Sequence, residues 1–328
     1  MPRSPRPWKL RLTTAIPDIL PVVLPPTKPL VNGVFLLDKP AGLSSNIALQ
    51  RARKVFGRPK AGHTGTLDPL ATGLLPICFG EATKYSQFLL DADKTYDATL
   101  TLGFTSSTGD AEGQLQVSGR PQVSESQLRK VLDDFVGPIQ QVPPMHSALK
   151  KNGRPLYEYA RAGLEVERKP RNIIIKSIQL YEFKDTELSI GVTCSKGTYI
   201  RVLAEDIGRA LGCGAFLANL RRTRIGEFAV ENATTLDTLK ELEVTRLAAL
   251  LLPVDTLLEG FPKLILTDDA AALIANGVPV LESGELRGRV RLYGPDGHFL
   301  GLGEARDDGV VLPLRLLADR SGIQAKMV

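Results

Sequence analysis

The chain has 328 residues, 43% of them hydrophobic and 23% charged, which argues against a disordered protein and allows one large or two ordinary packed domains. No run approaches the ~18 consecutive apolar residues that cross a bilayer. Cys78, Cys194 and Cys213 lie far apart with no C-x-x-C pair, so a disulfide framework and a zinc site are not expected, and a reduced, cytoplasmic compartment is. The net charge of +5 says little by itself, because residues 1–31 carry +4 and residues 262–328 carry −1.

Residues 1–31 hold eight prolines and read as an extended, poorly ordered tail. Arg3, Arg6, Lys9 and Arg11 precede an apolar stretch, as in a signal peptide. Pro17, Pro21, Pro25 and Pro26 interrupt that stretch and no small-residue cleavage site follows, so export is not expected. Order is predicted from Gly33. Val34 to Leu37 reads as a buried strand, ended by Asp38-Lys39-Pro40. Ser44 or Ser45 can cap the helix that follows, with Ile47, Leu49 and Val55 among its apolar positions. Residues 51–60 (RARKVFGRPK) contain five basic residues and no acid.

In residues 94–103 (KTYDATLTLG), Tyr96, Ala98, Leu100 and Leu102 alternate with polar residues, the pattern of a half-buried strand. Ser124-x-x-Gln127 forms a capping box for a helix carrying Leu128, Val131, Leu132, Phe135 and Val136. Residues 171–183 and 187–194 read as strands, and Ile200 to Leu211 as a helix. Strands thus arrive without regular helical crossovers, which favours α+β over a doubly wound sheet. A break falls near Glu259–Pro262. Beyond it come a short helix (Asp268 to Ala275) and short strands, one pair joined at Pro295-Asp296-Gly297. The predicted organisation is a tail (1–31), a large domain (32–260) and a small β-rich domain (261–328).

The most informative segment is residues 61–76 (AGHTGTLDPLATGLLP). Asp-Pro favours an extended or turn geometry at Asp68, and the flanking glycines let other backbone approach closely. On the residues alone, Asp68 is either a turn-capping carboxylate or a reactive one.

GHTGTLDPLATGLLPICFGEATK (62–84) resembles the active-site motif of the bacterial tRNA pseudouridine-55 synthases, the TruB-type family. GVFLLDKPAGLSS (33–45) is similar to that family's Lys-Pro motif, and KTYDATLTLG (94–103) to its tyrosine-bearing strand. QVPPMHSALKKNGRPLYEYARAG (141–163) resembles its mobile RNA-gripping segment. CSKGTYIRVLAEDIGRALGCGAFLANLRRTRIG (194–226) resembles its arginine and leucine motifs. The five boxes stand in the family's order over roughly residues 32–260. The resemblance implies an α+β fold with a mixed, largely antiparallel central sheet of the pseudouridine synthase type and a small C-terminal PUA-like RNA-binding domain. It also implies isomerisation of the uridine at position 55 in the T-loop of tRNA. Partners beyond tRNA are not implied: no guide RNA, no membrane, and a monomer.

That reaction breaks the N1–C1′ bond, turns the base while it stays bound, and rejoins it through C5. No group is carried and no redox change occurs, so no cofactor or metal is required. A carboxylate beside the ribose is needed, as a nucleophile at C1′ or a base at C2′. The resemblance gives that role to Asp68. Arg201 is implied as its ionic partner, and Tyr96 as the ring that stacks on the target base. Tyr199 and Leu220 are implied around the base, and His63 as a stacking platform inside the T-loop rather than an acid–base group. Lys84 and Lys39 are carried over as binding residues, with Lys39 alternatively only fixing the Lys-Pro loop, while Arg58, Lys60 and Lys54 are expected at phosphates.

Three bland readings stand beside these. Arg201 could pair with Glu205 at i,i+4, and Tyr96 could be plain core. The chain could also be chiefly an RNA-binding protein. A carboxylate hydrolase needs a second acid about 5–10 Å from the first, for which Asp110 is the candidate.

Overall fold

The computed structural model describes residues 31–282 and 284–318. The tail expected over residues 1–31 therefore lies, apart from Val31, outside the described residues, as do residues 319–328. No helix among the described residues is long and apolar enough to cross a membrane.

The large sheet is built on seven strands: β1 (Gly33–Lys39), β2 (Thr72–Phe79), β3 (Lys94–Leu102), β4 (Gly137–Gln141), β5 (Arg171–Lys184), β6 (Glu187–Cys194) and β7 (Ala215–Ile225). They lie in the order β1-β2-β7-β3-β6-β5-β4. Only β2 and β7 pair in parallel; the other neighbours in this series are antiparallel. Short strands at Ala61–His63, Thr234–Thr235, Phe228–Ala229 and Leu251–Leu252 extend it. The fold is the expected α+β one with a mixed, largely antiparallel sheet.

Burial along β3 alternates strictly, with Tyr96, Ala98, Leu100 and Leu102 inward as the sequence pattern predicts. β2 is buried on nearly every residue because both of its faces are covered. On one face, Leu75, Ile77 and Phe79 pack with β1 against helix α1 (Ser45–Val55). On the other, Leu74 and Cys78 meet Tyr85 and Leu89. Helices α2 (Glu125–Asp134) and α3 (Ile200–Ala210) close the core over β3, β5, β6 and β7. Each buried aliphatic side chain in these clusters contributes roughly 1.5–3 kcal/mol.

Ser44 caps α1, its hydroxyl accepting from the Ile47 N–H, and the Ser124–Gln127 capping box opens α2. Two apolar assignments are corrected. Ile47 is 48% exposed, because the stripe of α1 that faces the sheet runs through Ser45, Ala48, Leu49 and Ala52. Val136 at the end of α2 likewise faces solvent.

Gly73 explains one motif glycine. It sits at φ 99° where β7 crosses, and a Cβ there would lie 2.3 Å from the Arg222 carbonyl oxygen. Neither atom can yield without shifting a strand. Gly73→Ala is expected to lower stability by about 3 kcal/mol, measured by urea unfolding.

A second sheet of five strands starts at β8 (Lys263–Ile265), followed by helix α4 (Asp268–Ala275). It continues through β9 (Val280–Leu281), β10 (Gly288–Tyr293), β11 (Phe299–Ala305) and β12 (Val310–Leu316). The Pro295-Asp296-Gly297 turn joins β10 to β11, with Gly297 at φ 81°. Leu266, Ile274, Val290, Leu292 and Val311 form its own small core. It is tied to the segment following β2, where the Tyr85 hydroxyl donates to the Arg315 carbonyl (2.7 Å) and the Lys84 ammonium to the Leu316 carbonyl (2.9 Å).

Candidate active site

Asp68 lies in the loop between the short strand Ala61–His63 and β2, and three neighbours fix that loop. The buried Ser45 hydroxyl bonds both the N–H (2.7 Å) and the carbonyl (2.9 Å) of Leu67. Lys39, fully buried, donates to the carbonyls of Pro40, Leu43 and Pro69. Arg222 donates to the Gly65 carbonyl at 3.1 Å. The Ala71 N–H closes a turn onto the Asp68 carbonyl. The motif's run of small and turn-forming residues therefore holds one carboxylate in place from both sides.

Arg201, in the first turn of α3, meets that carboxylate at 3.0 Å. Its Nε faces Asp110 at 3.5 Å, and its remaining donors go to the backbone carbonyls of Thr108 (3.0 Å) and His146 (2.7 Å). The guanidinium is thus spent on tertiary partners, and the helix-face pair with Glu205 does not form. Side-chain exposure is 5% for Arg201 and 4% for Asp110, against 37% for Asp68. Asp68 is the member of the triad that opens to a ligand. Because Asp110 is enclosed behind Arg201 rather than facing the cavity, the two-carboxylate arrangement of a hydrolase is absent here.

Asp68 opens into a cavity of about 390 Å³, a volume suited to one nucleoside. Tyr96, Leu220, Tyr199, Ile200, Arg222 and Lys94 are among its walls. Tyr96 and Leu220 come from facing strands β3 and β7. Tyr199 caps the start of α3 and is held by Gln141, which accepts from its N–H (3.0 Å) and donates to its carbonyl (3.3 Å).

The electrostatics follow from enclosure. Burial raises the Asp68 pKa above the usual carboxylate value; Arg201 opposes this, and Asp110 adds to it. Burial lowers Lys39 and Lys94 to about 8 each. If ionised Asp68 is the reactive form, the rate falls as pH drops through this raised pKa. The acid limb of a kcat/KM–pH profile is therefore expected above 3.8, the unperturbed value. A limb at or below it would remove Asp68 from that role.

Residues 53–200 match the TruB family pseudouridylate synthase N-terminal domain, residues 201–259 the tRNA pseudouridylate synthase B C-terminal domain, and residues 262–317 the pseudouridine synthase II TruB C-terminal domain. A Dechloromonas aromatica protein named tRNA pseudouridine synthase B is 53% identical over 88% of this chain and 96% of its own length. The chain belongs to the TruB family of pseudouridylate synthases. The protein of that name from Methylobacillus flagellatus is 51% identical over 88% of this chain and 95% of its own. Among solved structures, a chain of a Cbf5–Nop10–Gar1 complex is similar with a TM-score of 0.66 and 29% identity, over 88% of this chain and 86% of that one. A chain of an H/ACA RNP bound to a substrate RNA containing 2′-deoxyuridine is similar with a TM-score of 0.66 and 27% identity, over the same shares.

Of the residues expected from the TruB-type motifs, Asp68, Arg201, Tyr96, Tyr199 and Leu220 converge on the cavity. His63 stands outside it on the neighbouring strand, partly exposed; burial and the nearby Arg222 hold its pKa below 6.5. Lys54, in the last turn of α1, and Arg58 and Lys60, on the turn leading to that strand, are exposed, Arg58 at φ 62°. Two expected binding residues do not line the cavity. Lys39 is enclosed and bonded to carbonyls, an arrangement that fits its alternative role of fixing the loop. Lys84 pairs with Glu81 at 2.7 Å and with the second sheet, away from the cavity.

Two cavity residues carry no expectation from the sequence: Lys94 looks like a strand terminus, and Arg222 like part of a basic run with Arg221 and Arg224. Asp110, the candidate second acid of a hydrolase, stands behind Arg201 instead. A signal for Arg222 existed: it lies two residues past Leu220 on one strand, so both point to the same face.

Proposed function

We propose that the Asp68 cavity takes the uridine at position 55 of the tRNA T-loop, flipped out of its stack, and that this tRNA pseudouridine synthase isomerises it there. The observation that carries this reading is a carboxylate held by a buried arginine on one wall of a nucleoside-sized cavity with aromatic and aliphatic sides. Arg201 keeps Asp68 ionised and aimed at the ribose. Tyr96 stacks on the base, worth roughly 1–3 kcal/mol. Tyr199 and Leu220 retain the freed uracil while it turns. His63 is the platform that occupies the space vacated by the flipped bases, its neutral ring suited to stacking.

The protein is read as a monomer acting without a guide RNA. In support, the relatives above 50% identity are spanned over nearly their whole length, whereas the similar solved chains at 27–29% come from multi-component assemblies. Three buried free thiols suit the cytoplasm.

The test is pseudouridine formation on an unmodified T-arm stem-loop RNA, beside the same RNA with cytidine at position 55. Product at the T-loop uridine alone is expected. Bound RNA without product would leave only an RNA-binding protein. Replacing Lys54, Arg58 and Lys60 together by alanine is expected to weaken T-arm binding and flatten its salt dependence. The log–log slope should fall by about 0.7–0.9 per lost phosphate contact, read from filter binding at several salt concentrations. An unchanged slope would take these three residues off the phosphates.

A further inference from the structure

Arg222 is 1% exposed, and among the described residues no carboxylate lies within ion-pairing distance of its guanidinium. Burying a cation unpaired is costly, so its setting calls for an explanation beyond packing. Its Nε donates to the Leu74 carbonyl at 2.8 Å and an Nη to the Gly65 carbonyl at 3.1 Å. It stands directly across from Tyr96 in the β7–β3 register, and both side chains line the Asp68 cavity. One side chain thus ties the start of the Asp68 loop to strand β2 beside the stacking ring.

The chemistry makes use of such a charge. If Asp68 adds to C1′, it becomes an ester; if it takes the C2′ proton, it becomes an acid. Either way the N1–C1′ electron pair leaves with the base, and the negative charge passes from Asp68 to uracil. Arg201 sits where the charge begins. Arg222, a lining residue beside Tyr96 and Leu220, sits where it goes.

We propose that Arg222 serves the isomerisation by presenting an unneutralised positive charge to the departing uracil anion. This rests on the proposed function, and conversion of uridine RNA by the wild-type protein tests that function separately.

The experiment compares wild type, Arg222→Lys and Arg222→Met on T-arm RNA carrying uridine or 5-fluorouridine at the target. Fluorine acidifies the base, making it a better anion that needs less help. On uridine, Arg222→Met is expected to lose ~100-fold in kcat with RNA affinity kept, and Arg222→Lys to recover part of that. On 5-fluorouridine, which has no C5 proton to lose after the base rejoins and is therefore followed as the single-turnover rate of N1–C1′ cleavage, the loss should shrink. An equal loss on both substrates would reduce Arg222 to a structural strut, and an unchanged kcat would overturn the proposal outright. Should neither variant fold, Arg222→Gln keeps a polar donor without the charge, and an unchanged kcat there overturns the proposal as well.

Discussion

Asp68→Asn is expected to abolish pseudouridine formation, with a loss of at least ~10⁴-fold, while T-arm binding stays within a few fold and thermal stability rises. The substitution is close to isosteric, and Arg201 keeps Asp110 as a counter-ion. The sign of the stability change follows from the raised Asp68 pKa, whose main cause is burial. A carboxyl with a higher pKa folded than unfolded contributes its stability at low pH and loses it as pH rises through the folded value. Asn is in effect the neutral form at every pH. The difference in melting midpoint between variant and wild type should therefore widen as pH rises through that pKa and close below 3.8. A variant that melts lower than wild type at neutral pH would mean that the Arg201–Asp68 attraction outweighs desolvation. Such opposition between activity and stability at one residue is common where a site holds a charge ready for chemistry.

What could be read in the sequence was local. The alternation of β3, the capping box of α2 and the turn at Pro295–Gly297 each depend on residues within a few positions of one another, and each reappears in the structure. The ordered motifs carried the fold and the cavity residues Asp68, Tyr96, Tyr199, Arg201 and Leu220. What stayed hidden concerns charge. Lys39 and Lys84 pass for binding residues because a lysine usually reaches water; nothing near them in sequence says that carbonyls of residues 43, 69 or 316 converge on their ammonium groups. Arg222 hides between two residues of the same basic run, and only the β2–β7–β3 register buries it. Asp110 sits in a Gly-rich turn, and its importance is set by an arginine on a distant helix. Tertiary burial, not local pattern, separates a solvated charge from a working one.

Arg201→Met carries the largest expected cost in stability. It removes the one cation between Asp68 and Asp110 and leaves Asp110, 4% exposed, as an uncompensated buried carboxylate. Losing one partner of such a pair costs about 3–5 kcal/mol. The carbonyls of Thr108 and His146 lose their donor as well, at roughly 1 kcal/mol each. Activity should vanish too, since Asp68 loses the charge that favours its ionised form. Adding Asp110→Asn to Arg201→Met separates the two effects. Much of the stability should return, because the stranded charge is gone, while product formation stays absent because Asp68 is still unpartnered. In a denaturant double-mutant cycle the two substitutions should couple by more than about 1 kcal/mol. Additive costs would show that Arg201 and Asp110 do not depend on each other. Arg201 would then act on Asp68 alone, with Asp110 no more than the turn residue it resembles in the sequence.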